Sequence, residues 1–198
     1  AAAGHANLMY RVATAKTHPG WGYMIEQGAT TIWESWGGRI YSNGATAADS
    51  MIMWATIDEF FYNDLAGIRG PEYYGPAQMT PGFRQIEIRP HVVGDMTHAE
   101  ASIKTVRGII SSSWRRTKDS FVLKIEIPVN STAKVCVPTL GLKEFAVTEG
   151  GKAIWKNDLY IDGVAGVADA RRDVDWVTFD IGSGRYCFKL SGAKSHRP

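Results

Sequence analysis

A carboxylate set between indoles is the part of this chain best suited to chemistry. Over Trp21-Gly22-Tyr23-Met24-Ile25-Glu26-Gln27-Gly28-Ala29-Thr30-Thr31-Ile32-Trp33-Glu34-Ser35-Trp36 the sequence gathers three Trp, one Tyr and two Glu. Indole is costly to leave in water, and its N–H needs a partner when buried. Two structures answer to this composition. One is an aromatic-walled polar pocket, the default form of a ligand site. The other is a Trp-rich core segment with Glu34 at its rim. Sugar sites take the first form: a ring face stacks on indole while carboxylates hydrogen-bond the hydroxyls. Glu26, the other acid, reads as a structural residue or as a hydrogen-bonding partner behind the site.

The wording of the segment goes further than its composition. Trp21-Gly22-Tyr23-Met24 through Gly28-Ala29-Thr30-Thr31-Ile32-Trp33-Glu34 resembles a segment of the bacterial α-L-rhamnosidases. These are inverting glycoside hydrolases with an (α/α)6 barrel followed by a C-terminal β-sandwich. The resemblance continues through Ile57-Asp58-Glu59-Phe60-Phe61-Tyr62-Asn63-Asp64-Leu65-Ala66-Gly67-Ile68. It returns at Pro81-Gly82-Phe83, at Ile86-Glu87-Ile88-Arg89-Pro90 and at the Gly-Asp-Met-Thr run from Gly94. The first half of the chain carries it closely, and the rest only through a β-rich pattern.

The resemblance implies a chemistry. Inverting hydrolysis needs one carboxyl group to protonate the leaving oxygen and another to activate a water on the opposite side of the sugar. The Glu that ends Gly-Ala-Thr-Thr-Ile-Trp-Glu is the general base in this family, and it maps onto Glu34. Trp33 and Trp36 flank it in sequence, where either would stack a sugar or exclude bulk water. Core packing is the other reading for both. The family commonly carries an Asn-His pair just before the helix that corresponds to Ile52-Met53-Trp54, and its His contacts the sugar. Here those positions are Ser50-Met51, and Met offers no strong hydrogen-bond donor. The general acid lies upstream in the family. The implied partners are a rhamnose-containing glycan or glycoside and the upstream part of the same protein, which would complete the barrel. No cofactor is implied.

The elements that must position these residues change character along the chain. Residues 1–67 read as helical, as the C-terminal helices of a barrel. Ala6, Met9, Tyr10 and Ala13 recur at helical spacing, and His18-Pro19-Gly20 stops that run, since Pro cannot continue the ladder. A second helix is expected from Asp49, a good N-cap, over Met51–Ala66, with Gly67 as its left-handed cap. It is apolar almost all round, which predicts burial on most sides, with Asp58 and Glu59 capping or pairing with neighbours on its less apolar face. Residues 68–82 form a Gly/Pro/Tyr-rich connector. From 83 to 192 the pattern turns to period two, as in Phe121, Leu123, Ile125 and Ile127. This predicts an antiparallel β-sandwich able to fold alone. Glu149-Gly150-Gly151-Lys152 and Gly182-Ser183-Gly184 read as hairpin turns. Residues 193–198 read as a frayed tail.

Composition narrows the classes. The 198 residues carry 22 basic and 20 acidic side chains, a net charge of +2. That is no electrostatic footprint for nucleic acid. No run is apolar and long enough to span a bilayer as a helix. Ala1-Ala2-Ala3-Gly4-His5 opens directly into a helical pattern, so the chain is expected to belong to a larger protein. Cys136 and Cys187 read as free thiols, and the five His are too scattered for zinc-ligand spacing. Two non-enzymatic classes compete with hydrolysis. One is a carbohydrate-binding β-sandwich using Trp114, Trp155 or Trp176, with Trp176 expected to be the exposed one. The other is a structural subunit that completes a barrel supplied by another chain.

Overall fold

A computed structural model of the chain describes residues 4–37, 48, 50, 52–70 and 82–193. The chain divides into two compact units, Ala1–Phe61 with Val93–Asp95, and Tyr62–Val92 with Met96–Pro198.

The first unit holds short helices: α1 (Ala6–Thr14), α2 (Trp21–Glu26), α3 (Ile52–Ala55) and α4 (Ile57–Glu59). Helix α1 ends before the Pro: Ala15 is already extended, with ψ 122°. The second expected helix is not one rod. Thr56 interrupts it, and from Phe60 to Leu65 the backbone winds as a π-helix. The wider π winding re-phases the side chains. Ile57, Phe60 and Leu65 are buried, while Ile52, Phe61 and Tyr62 are exposed. Asp58 and Glu59 are exposed, on the less apolar side of this segment. Asp49 and Met51 lie outside the described residues. Val93–Asp95 packs with α1, where Asn7 Oδ1 accepts the Gly94 N–H at 3.0 Å. Tyr10 donates its hydroxyl to Asp95 Oδ1 at 2.7 Å.

The second unit is a β-sandwich. A five-stranded sheet runs β1-β2-β6-β11-β10. Its strands are β1 (Ile68–Arg69), β2 (Gln85–Ile88), β6 (Thr132–Pro138), β10 (Val167–Arg172) and β11 (Trp176–Ile181). A seven-stranded sheet runs β3-β4-β5-β12-β7-β8-β9. It contains β3 (His98–Thr105), β4 (Gly108–Arg116), β5 (Ser120–Ile127), β7 (Glu144–Glu149), β8 (Lys152–Lys156), β9 (Leu159–Tyr160) and β12 (Gly184–Ala193). The period-two residues form the core: Phe121, Leu123, Ile125 and Ile127 meet Val135, Val137, Val177 and Phe179, all buried. Every pairing is antiparallel except β2 with β6, which is parallel.

The two Gly-rich turns part company. Gly150-Gly151 closes the β7–β8 hairpin with φ of 55° and 85°, as a tight primed turn requires. Gly182-Ser183 closes no hairpin. It carries the chain from β11 in one sheet to β12 in the other.

The first two residues of the expected connector are a strand that belongs to the sandwich. Ile68 is fully buried in its core. The two carbonyls just before it are claimed from within: Trp114 Nε1 donates to Leu65 O at 2.7 Å, and Ser112 Oγ donates to Ala66 O at 2.6 Å. Gly67 follows with φ 81°, and a Cβ there would collide with the Pro90 nitrogen and the Arg89 carbonyl carbon.

Candidate active site

Glu34 sits in the irregular segment that follows α2, and its backbone is held at both ends. Its N–H donates to Ala48 O at 3.0 Å. Its own carbonyl accepts the Trp54 indole N–H at 2.9 Å. The carboxylate is engaged as well, with Oε2 accepting the Ala48 N–H at 2.7 Å. A hydrogen bond from a backbone N–H to an ionised carboxylate is charge-assisted and stronger than a neutral one. Glu34 is half-buried, so this oxygen pair stays within reach of water.

Three indoles stand beside it. Trp36 lies 4.8 Å from Trp21, edge to face, and 4.5 Å from Trp54, tilted. Trp21 and Trp54 are 6.3 Å apart, edge to face, and the Trp21 N–H donates to the Trp54 carbonyl at 3.1 Å. Each is half-buried. These are the offset geometries that indoles favour, each adding about 0.5–1.5 kcal/mol beyond burial. Trp36 therefore belongs to an aromatic cluster. Trp33 points elsewhere: it is 8% exposed, a core residue. Met51 lies outside the described residues. Glu26 pairs with Lys16 at 2.8 Å on an open surface.

Trp54 and Ala48 were not legible as site residues. Trp54 reads in sequence as one more apolar position of a buried helix. Its sole signal is a large polar-tipped ring in a short helix otherwise filled by Ile, Met and Ala. Ala48 acts only through its backbone, so its side chain carries no signal.

The sandwich has a polar cluster of its own. Asp64, buried, accepts Arg69 Nη2 at 2.9 Å and lies 3.3 Å from His91 Nδ1. Burial works against its ionisation, but His91 and then Arg69 outweigh it, and the carboxyl sits below its ordinary value. Trp176 is half-buried, with Arg89 over its ring at 5.3 Å and His91 edge-on at 5.4 Å. Trp114 and Trp155 are core residues. Cys136 and Cys187 are free thiols, and burial pushes that of Cys136 up. Among the described residues no group of three His, Cys, Asp or Glu could hold a metal ion.

The chain is similar to known proteins along most of its length. Residues 1–65 match the bacterial alpha-L-rhamnosidase 6 hairpin glycosidase domain, and residues 75–152 match the bacterial alpha-L-rhamnosidase C-terminal domain. It is 34% identical to an alpha-L-rhamnosidase of Streptomyces avermitilis over 140 residues, which is 68% of this chain and 13% of that protein. An alpha-L-rhamnosidase of Formosa agariphila is 31% identical over 69% of this chain and 14% of its own length. The chain thus spans roughly a seventh of these relatives. The structure of alpha-L-rhamnosidase from Dictyoglumus thermophilum superposes with a TM-score of 0.81 at 32% identity, covering 96% of this chain and 19% of that one. The Streptomyces avermitilis enzyme complexed with L-rhamnose gives 0.71 at 28% identity, covering 94% and 16%. Helices of a six-hairpin (α/α)6 domain leading into a β-sandwich, each matched by its own model, place the chain: it belongs to the bacterial α-L-rhamnosidase family, and its two parts correspond to that family's six-hairpin and C-terminal domains.

Proposed function

We propose that this chain is the C-terminal portion of an inverting glycoside hydrolase that removes terminal α-L-rhamnose, and that Glu34 is its general base. Residues 1–67 supply the closing helices of the catalytic barrel. Residues 83–192 form the body of the C-terminal β domain, joined through 68–82. The observation that carries the reading is the Glu34 carboxylate, oriented by the Ala48 N–H beside three mutually packed indoles, in the part of the chain that matches a glycosidase domain. In this role the ionised carboxylate takes a proton from a water as that water attacks the anomeric carbon. A second carboxyl group, roughly 6.5–9.5 Å away across the bond, protonates the leaving oxygen. That acid comes from the upstream part of the same protein. Trp36, braced by Trp21 and Trp54, offers an apolar surface for the sugar ring, and Trp33 is the other substrate-binding candidate beside Glu34 in sequence. Met51, where the family His stands, is a further substrate-binding candidate, one that offers no strong hydrogen-bond donor.

The test is Glu34→Gln in the full-length enzyme. It keeps the side chain's shape and removes its basicity. Turnover of an aryl α-L-rhamnoside should fall on the order of 10²–10⁴-fold, the usual range for a positioned acid or base, with an unchanged melting temperature. Turnover close to wild type from a folded Glu34→Gln enzyme would refute the assignment.

A further inference from the structure

The outer face of the seven-stranded sheet carries a groove that the chemistry at Glu34 does not use. It holds about 590 Å³, within the range of small-molecule sites. The strand register builds it. Ser102, Ser111, Glu126 and Arg185 lie side by side across β3, β4, β5 and β12. Two residues along the strands, Glu100, Ser113, Lys124 and Cys187 form a second row on the same face. With neighbouring strands about 4.8 Å apart, each row across four strands spans roughly 14 Å. The short serines of β4 make the floor, and longer side chains on β3 and β5 make the walls.

The chemistry of this surface selects its ligand. A serine hydroxyl both donates and accepts, which suits a partner that does the same at many points. One ion pair lies here, Arg185 with Glu126 at 3.2 Å, and Glu100 Oε2 accepts the Ser113 hydroxyl at 3.3 Å. Counting Glu149, also on the lining, three acids face two bases, so an anion gains nothing here. Among the described residues, none of the large exposed apolar side chains lines the groove. The apolar side chains on its lining, Ile125 and Tyr186, are buried in the sandwich core, so the groove lacks the exposed aromatic centre that a protein interface would want.

We propose that this groove is a second glycan-contact site, taking a neutral oligosaccharide by its hydroxyl edges instead of by ring stacking. The proposal rests on the reading that the full-length protein acts on a rhamnose-containing glycan. The groove would hold a part of the glycan other than the bond that is cleaved.

The experiment uses the full-length protein in native gels cast with a neutral rhamnose-containing polysaccharide that has no terminal rhamnose, so that a site for terminal sugar cannot account for retention. The wild-type protein should be retarded. Ser111→Ile/Ser113→Ile removes both hydroxyls and fills the floor with β-branched residues that strands favour; it should need at least fivefold more polysaccharide for the same retardation, with aryl α-L-rhamnoside turnover within twofold of wild type. Glu126→Ala, which removes a wall without adding bulk, should weaken retention in the same gels and decides the matter if the double variant does not fold. A wild-type protein that is not retarded, or folded variants retarded as strongly as wild type, would overturn the groove. Retention that responds to these variants in a protein with no rhamnoside turnover would uphold the groove and defeat the hydrolase reading instead.

Discussion

Residues 65–69 should decide whether the β domain folds at all. A polypeptide of residues 83–193 lacks them; one of residues 62–193 keeps them. The shorter one loses Ile68, fully buried, and Leu65, 8% exposed. Burying such side chains is worth about 1.5–3 kcal/mol each. It also leaves Trp114 Nε1 and Ser112 Oγ without the Leu65 and Ala66 carbonyls they donate to. An orphaned buried donor costs about 1–3 kcal/mol. Water entering the gap recovers part of that loss but none of the apolar loss. The total comes to about 8 kcal/mol, comparable to the whole stability of a domain. Urea titration followed by circular dichroism and Trp fluorescence is the assay. Residues 62–193 should give a β-type spectrum and one cooperative transition. Residues 83–193 should give no cooperative transition. Within the longer polypeptide, Trp114→Phe alone should cost about 2–4 kcal/mol, since it loses one hydrogen bond and part of a buried ring. Cooperative unfolding of residues 83–193 within about 0.5 M urea of the longer form, at slopes usual for a small domain, would refute the idea that these five residues plug the core.

Gly67→Ala should lower stability by more than about 3 kcal/mol, because a left-handed φ is combined with backbone of Arg89 and Pro90 in the way. Gly150→Ala, also at positive φ but facing open space, should cost only about 1 kcal/mol; thermal melts of the two variants test the difference. Asp64 ionises more readily in the folded state than its ordinary value, so its contribution is fully present above the normal carboxylate range and is lost as the pH falls through its lowered folded value. Stability measured from pH 6 down to pH 2 should therefore decline less steeply in Asp64→Asn than in wild type. The 198-residue chain alone should release no chromogenic aglycone from an aryl α-L-rhamnoside, and the upstream part of the protein, supplied in cis or as a separate chain, should restore release; Glu34-dependent turnover by the chain alone would show that both carboxyl groups lie within it.

The sandwich was legible because alternation is a local property. Phe121, Leu123, Ile125 and Ile127 announce a buried face whichever strands flank them. The partner of a strand is not local. Gly150-Gly151 and Gly182-Ser183 look alike between alternating runs, yet one closes a hairpin and the other changes sheets, because β12 pairs with β5 and β7. The helical part failed for a related reason. Residues 51–66 are apolar almost all round, so the polar positions that remain fix the helical phase only weakly, and nothing in their pattern marks a break at Thr56 or the π winding from Phe60. At the candidate site, Glu34 and Trp36 stood out by residue type. The residues that hold them did not: Trp54 reaches Glu34 across twenty positions of sequence, and Ala48 does so by its main chain.

The return of Val93–Asp95 to α1 bears on how such proteins can be recombined. The two units are not consecutive stretches of sequence, so no single crossover in a gene exchanges one without cutting into the other. A β domain grafted from a relative brings its own version of residues 93–95, which must then suit a foreign helix at the positions of Asn7 and Tyr10. Gly94 leaves little latitude in that match, since any side chain there would run into the Tyr10 ring. Chimaeras within the family should therefore succeed when α1 and the loop after β2 are inherited from the same parent, and fail more often when they are not.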